Sequence, residues 1–224
     1  MKADVGREPA FNVPWPVAAL AVVLVAAHAA RVWLGVSPDA LALTRSDLVG
    51  GRMAPLFTYM LVHGGWAHVL LNAVFCVAFG APVARWLGTG ARGGAAFLLF
   101  FVACGVAAAL GYGGWFDLTA RFSHARPDWG LVGASGAASG LMGAAARLIE
   151  GRGRLGSIAG RRVVGMGAAW IVVNVVLGVS GLTPGAAGAP VAWEAHIIGF
   201  FAGVLLIGLA GRLAGARMDR SIAS

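Results

Sequence analysis

Apolar residues along this chain come in long runs, not in the alternating or three-to-four-residue rhythm of a soluble fold. Six stretches, residues 15–36, 60–83, 95–115, 131–149, 163–182 and 193–213, can each supply the ~20 apolar residues a spanning helix needs. The fourth is the least apolar, because Gly, Ala and Ser dominate its start. The pattern predicts an all-α polytopic membrane protein, a bundle of six transmembrane helices over residues 15–213. Short segments, 1–14 and 214–224, flank it. A signal peptide is the alternative reading of the first run, with Ala27-His28-Ala29 as a small-residue cleavage site. The apolar run continues past that site, which argues against removal.

The intervals between the runs differ in character. Residues 37–59 are long for a connection between antiparallel helices, and they carry Leu41, Leu43, Leu48, Leu56 and Phe57 beside Pro38 and Pro55. Such a segment is expected to lie in the membrane interface. Residues 116–130 form a second sizeable connection. The basic, Gly-rich residues 150–162 read as a plain turn. Residues 181–192 are rich in Gly, Ala and Pro and carry no charge, which suits a mobile cap.

A few polar residues interrupt the runs, and in lipid each needs a partner or a purpose. His63, His68 and Asn72 fall in the second stretch, and His68 and Asn72, four apart, share a helix face. Ser135 opens the fourth stretch within Gly133-Ala134-Ser135-Gly136. His196 lies about one turn into the sixth. Alternating helix directions bring all three groups to one depth. Small residues four apart, Gly136 and Gly140 on the fourth stretch and Gly199 and Gly203 on the sixth, permit close backbone approach. Packed in that way, the two helices bring the Ser135 hydroxyl within reach of a His196 nitrogen. A neighbouring imidazole activates a serine by taking its proton. His68, Asn72 and the backbone N–H of Ser135 are the available donors for a tetrahedral oxyanion.

Charge changes the picture once. The formal net charge is +8, which in a soluble protein would point to nucleic acid. Here the basic residues fall between the apolar runs. With the N-terminus inside, 12 of the 17 lie on inner segments, and Arg31, Arg45, Arg52, Arg121 and Arg126 lie on outer ones. The asymmetry predicts both termini in the cytoplasm, the serine and histidine near the outer face, and no nucleic-acid partner. Most tryptophans fall at helix ends, and Trp170 alone sits within a span. Only two cysteines occur, Cys76 and Cys104, neither with metal-ligand spacing. The Ala/Gly/Arg-heavy, nearly lysine-free composition fits a GC-rich bacterial genome and hence an inner membrane.

The three motifs in order, His63-x4-His68-x3-Asn72, Gly133-Ala134-Ser135-Gly136 and Ala195-His196-x2-Gly199-x3-Gly203, resemble the rhomboid intramembrane serine proteases. So do Arg85-Trp86-Leu87-Gly88-Thr89-Gly90 after the second stretch and the long apolar first outer loop. The likeness covers roughly residues 48–211. It implies a Ser135–His196 dyad without a carboxylate, an oxyanion site of His68 and Asn72, and a structural His63 at the loop junction. It also implies transmembrane proteins in the bilayer as substrates and no metal or cofactor. Two positions depart from the family pattern. Ala54-Pro55 stand where a Trp-Arg pair often precedes Leu-Phe-Thr. Ser139 stands where several relatives carry an aromatic against the catalytic histidine.

Plainer readings exist for each group. Ser135 is a natural helix cap, and His196 alone fits a packing role. His63 and His68 as zinc ligands would need a His-Glu-x-x-His motif, which is absent. Ser139 is a rival nucleophile that lies a turn deeper. Glu194 is too close along the helix to face His196. Among whole-protein readings, a catalytically silent adaptor or quality-control protein on the same scaffold is the main alternative, and a small transporter a lesser one.

Overall fold

The structure, a computed structural model, describes residues 13–123, 129–181 and 191–216. Within these lie five long apolar helices: α1 (Trp15–Trp33), α4 (Trp66–Leu87), α5 (Ala91–Ser123), α7 (Arg161–Ser180) and α8 (Trp193–Ala214). Each is long and apolar enough to cross a membrane, and the chain is an integral membrane protein. A further helix, α6 (Ser135–Glu150), corresponds to the fourth predicted span. It has 16 residues, shorter than the other five, and most of its side chains are buried.

Helix boundaries shift from the sequence expectation for local reasons. The second run was expected to become helical from residue 60, but Tyr59–Leu61 form a tight 3-10 turn and α4 begins only after Gly64-Gly65. α5 runs to 33 residues, so residues 116–123 of the expected loop are helix. Leu131 belongs to a strand, which moves the start of α6 to Ser135. The predicted cap at 181–192 lies outside the described residues except at its ends, and so do nearly all of the flanking segments 1–14 and 214–224.

Residues 37–59 are ordered by their own small elements: β1 (Leu43–Thr44), α2 (Arg45–Val49) and α3 (Pro55–Thr58). β1 pairs antiparallel with β2 (Gly130–Leu131), Leu43 opposite Leu131 and Thr44 opposite Gly130. An Arg45–Asp117 ion pair of 2.7 Å adds a tie to α5. This small sheet anchors the strand that leads directly into α6. Val49, Met53 and Phe57 remain exposed, an apolar fringe suited to an interface.

Thr44 and Asp47 close a capping box at α2. Thr44 Oγ1–H donates to Asp47 Oδ2 (2.6 Å), the Thr44 N–H donates to the same oxygen (2.8 Å), and the Asp47 N–H donates back to Oγ1 (3.3 Å). Arg52 pairs with the other carboxylate oxygen. The hydroxyl bond from Thr44 outweighs burial and holds the Asp47 carboxyl below its ordinary 3.8. The unfolded chain therefore takes up the proton first as pH falls. The stabilisation is full above 3.8 and disappears as pH drops through the lowered value. Asp47→Ala is expected to lose roughly 1 kcal/mol of capping stability at neutral pH. The thermal midpoints of detergent-solubilised wild type and variant, compared at neutral pH and at a pH below the lowered value, should converge at the second. An equal gap at both pH values would remove the carboxylate from this account.

At one end of the bundle Trp15 Nε1–H donates to the Thr89 carbonyl (2.6 Å) and Arg92 Nε–H to the Leu213 carbonyl (2.6 Å). These bonds tie the starts of α1 and α5 to the ends of α4 and α8. At the other end α4, α6 and α8 begin together. The basic turn after α6 is more than a plain connection. Arg147 donates to the Gly156 carbonyl from Nε (3.0 Å) and Nη2 (2.9 Å), and to the Val204 carbonyl from Nη1 (2.8 Å).

α6 is the hub, packed against α4, α5, α7 and α8. Small side chains make this possible. A Cβ at Gly136 would strike Ala108, and one at Gly140 would strike Cys104, both on α5. Toward α8 the contact is backbone on backbone: a Cβ at Gly199 would fall on the Gly136 carbonyl, and one at Gly203 on the Gly140 carbonyl. The constant offset between these pairs means that α6 and α8 run parallel and in fixed register.

Candidate active site

That register brings the first residue of α6 beside the fourth residue of α8. Ser135 Oγ lies 2.7 Å from His196 Nε2. Ser135 does not cap its helix: the residue at the cap position is Ala134, and no side chain accepts a capping bond there. The bland reading of Ser135 therefore has no bond to support it, and the hydroxyl is bound to the imidazole instead.

The other face of His196 meets α7. Its Nδ1 lies 2.6 Å from Asn174 Oδ1, and Asn174 Nδ2–H donates to the Trp170 carbonyl at 2.8 Å. The Trp170 ring lies beside the imidazole, with centroids 6.2 Å apart and planes tilted by 32°. Ser139, where an aromatic would have stood, is buried and donates its hydroxyl to the Ser135 carbonyl (2.7 Å). Its hydroxyl is committed to the helix backbone.

α4 borders the same place. His68 Nδ1 accepts the Gly64 N–H (3.4 Å), which leaves the proton of the neutral ring on Nε2. That Nε2 faces Gly133, where a Cβ would stand 2.8 Å away and only 3.8 Å from Asn72 Nδ2. Gly133 also has φ +108°, a conformation that L side chains rarely adopt. Glycine at this position thus opens the space in front of two side-chain donors. Asn72 is buried and donates one Nδ2 hydrogen to the His68 carbonyl (3.1 Å). Its second amide hydrogen is left for another acceptor.

The approach to Ser135 is fixed by two bonds. The Gly133 N–H donates to the Tyr59 carbonyl (3.0 Å), and the Ala134 N–H to His63 Nε2 (3.3 Å). Tyr59 itself is held by a bond from its hydroxyl to the Gly105 carbonyl (2.8 Å). His63 is thus a fully buried acceptor beneath the loop. From Ser135 onward the first N–H groups of α6 have no intrahelical acceptor and point out of the helix end.

The structure therefore gathers Ser135, His196, His68, Asn72, His63 and Gly133 at one end of the bundle, with Gly136, Gly199 and Gly203 along the seam that sets their register. Sequence reasoning missed Tyr59 and Asn174. Tyr59 acts mainly through its backbone, which gives no residue-type signal. Asn174 did leave one: it is a lone amide among Ile171, Val172, Val173, Val175 and Val176. Trp170 stood out only as a tryptophan away from a helix end. Without the antiparallel register of α7 on α8, neither is tied to His196.

A family model, the Rhomboid domain, matches residues 50–213. The matched span runs from the residue after α2 almost to the end of α8 and contains every residue of this site. No curated protein matches the chain.

Proposed function

The chain belongs to the rhomboid family, and on that footing we propose that it is an intramembrane serine endopeptidase. It hydrolyses a peptide bond in or near a transmembrane segment of a membrane-protein substrate, without metal or cofactor. The observation that carries this reading is the 2.7 Å contact between Ser135 Oγ and His196 Nε2. In this reading residues 15–213 are the protease domain and α6 is the fourth of six passes. Both termini lie in the cytoplasm of a bacterial cell, and the site opens toward the outer side. The excess of basic residues on the inner segments supports that orientation.

Ser135 Oγ attacks the scissile carbonyl carbon as His196 Nε2 takes the hydroxyl proton. The carbonyl oxygen becomes an oxyanion and receives hydrogen bonds from His68 Nε2–H, the free Asn72 Nδ2–H and the Ser135 N–H. His196 then gives its proton to the departing amine, the C–N bond breaks, and an acyl-serine remains. Water loses a proton to His196 and attacks the acyl carbon; the acyl C–O bond to Ser135 breaks, His196 returns the proton to Oγ, and the acid product leaves. A substrate helix is hydrogen-bonded to itself, so residues that weaken a helix near the cleaved bond favour attack.

The test is labelling of purified protein by a fluorophosphonate, together with cleavage of a type-I membrane substrate in liposomes, each beside Ser135→Ala. Labelling and cleavage that vanish in the variant support the protease. A wild-type protein that neither labels nor cleaves would leave the silent scaffold as the reading. Within the active enzyme, His68→Ala and Asn72→Ala are each expected to lower kcat by roughly 10²–10³-fold with little change in KM. Unchanged turnover in either variant would take that side chain out of the oxyanion site.

A further inference from the structure

We propose that Asn174 is the positioning residue of this site, an uncharged third member that holds His196 in the tautomer a base requires. The proposal deepens the protease reading and rests on it.

Asn174 is 1% exposed, on a helix whose neighbouring valines and Ile171 face outward. With Val163 and Gly167 it forms the buried face of α7. An amide in that position is expensive unless both its ends are bonded. Here both are, and the two bonds together decide which way the amide faces. The NH₂ group must point at the Trp170 carbonyl, because a carbonyl accepts only. Oδ1 therefore points at His196 Nδ1, 2.6 Å away, and that nitrogen must carry the hydrogen. A flipped amide would set two oxygens against each other at Trp170.

With the hydrogen on Nδ1, Nε2 keeps its lone pair and accepts from Ser135 Oγ–H. The opposite tautomer would place a hydrogen on Nε2 and turn it into a donor toward Ser135, useless as a base. An amide does this without placing a second charge in the membrane interior, where a carboxylate is costly. When the imidazolium forms, the Oδ1 dipole already faces its Nδ1–H. The arrangement also accounts for Ser139. His196 is held from α7, by Asn174 in the ring plane and by Trp170 beside it, so α6 need not supply an aromatic.

The experiment compares wild type with Asn174→Leu, which nearly keeps the volume, Asn174→Ala, and Asn174→Asp, which keeps the acceptor. Two readouts are taken on detergent-solubilised full-length protein whose thermal midpoint shows that it is folded. The first is kinetic. The leucine and alanine variants should lose roughly 10- to 100-fold in kcat and in the rate of fluorophosphonate labelling, the worth of a hydrogen bond to a group that becomes charged. KM should stay near wild type, and the aspartate variant should recover much of the loss. The second is the imidazole ¹⁵N spectrum of histidine-labelled protein, with the His196 signals identified by their absence in His196→Gln. Wild type should show protonated Nδ1 and unprotonated Nε2, and the leucine variant should lose that preference.

A leucine or alanine variant that keeps both the wild-type tautomer and the wild-type kcat overturns the proposal while leaving the protease reading intact. The tautomer readout does not depend on turnover. A protein without activity that still changes tautomer in Asn174→Leu would sink the protease reading and keep Asn174 as the group that orients His196.

Discussion

Ser135→Ala is expected to abolish both cleavage of a membrane substrate and labelling by a fluorophosphonate, and His196→Ala should come close to the same loss. Each side chain is half of one unit: the hydroxyl is a poor nucleophile without the imidazole 2.7 Å away, and the imidazole has nothing to activate without the hydroxyl. Such units lose function together, so each single variant should fall by on the order of 10⁴-fold or more, and the double variant should be no slower than the singles. The fold should survive. Ser135 makes no capping bond that alanine would remove. His196 is only partly buried, and the α6–α8 seam runs through glycine backbones, not through this ring. Initial rates in liposomes, with thermal midpoints as the control, decide the matter. Comparable turnover in either variant would break the dyad assignment, and multiplicative losses in the double variant would mean that the two side chains act separately.

The second large effect is expected from a residue that touches no substrate. Gly199→Val should cost about 10²-fold or more in labelling rate, because a small displacement at a catalytic pair is enough to lose alignment. A side chain at Gly199 would fall on the carbonyl oxygen of Gly136, and one at Gly203 on that of Gly140. Backbone in a buried helix cannot swing aside as a long side chain would, so the helices must separate. His196 sits one turn before Gly199 and moves with it. Overpacking of this kind commonly costs ~1–3 kcal/mol in stability, so the thermal midpoint should fall much less steeply than the rate. Gly165→Val on α7, where a Cβ would meet nothing within 4 Å, is the matched control and should label normally. If the two valine variants label alike, the close seam does not govern the site.

Much of this arrangement was legible in the chain. The six apolar runs correspond to five long helices and to α6, and the small-residue stripes on 136/140 and 199/203 are the seam itself. Depth alone brought Ser135, His196, His68 and Asn72 to one level, since alternating helix directions leave few choices. What escaped is instructive in physical terms. Hydropathy counts residues and cannot see that Gly64-Gly65 break the second run, or that α5 continues past residue 115 because no proline follows until Pro127. The pairing of Leu43 with Leu131 joins two-residue strands, too short to carry a periodic signal. Asn174 was visible as a polar residue in an apolar run, yet its partner lies on the next helix, and only the packing of α7 against α8 selects it.

α6 is 16 residues long, about 24 Å from end to end, against a hydrocarbon layer of ~30 Å. A lipid-facing helix that short would thin the bilayer around it or draw its flanking residues inward. α6 escapes that penalty because its neighbours are α4, α5, α7 and α8, not acyl chains. Hydrophobic mismatch acts only on the surrounding helices. In the proposed orientation, the depth of Ser135 is therefore a fixed dimension of the protein, a recess walled by helix backbones. For the protease proposed above, a thicker or thinner bilayer changes how a substrate helix tilts and how far it rises past that recess. Membrane thickness then selects which peptide bond is presented, while the distance from Ser135 to His196 stays the same.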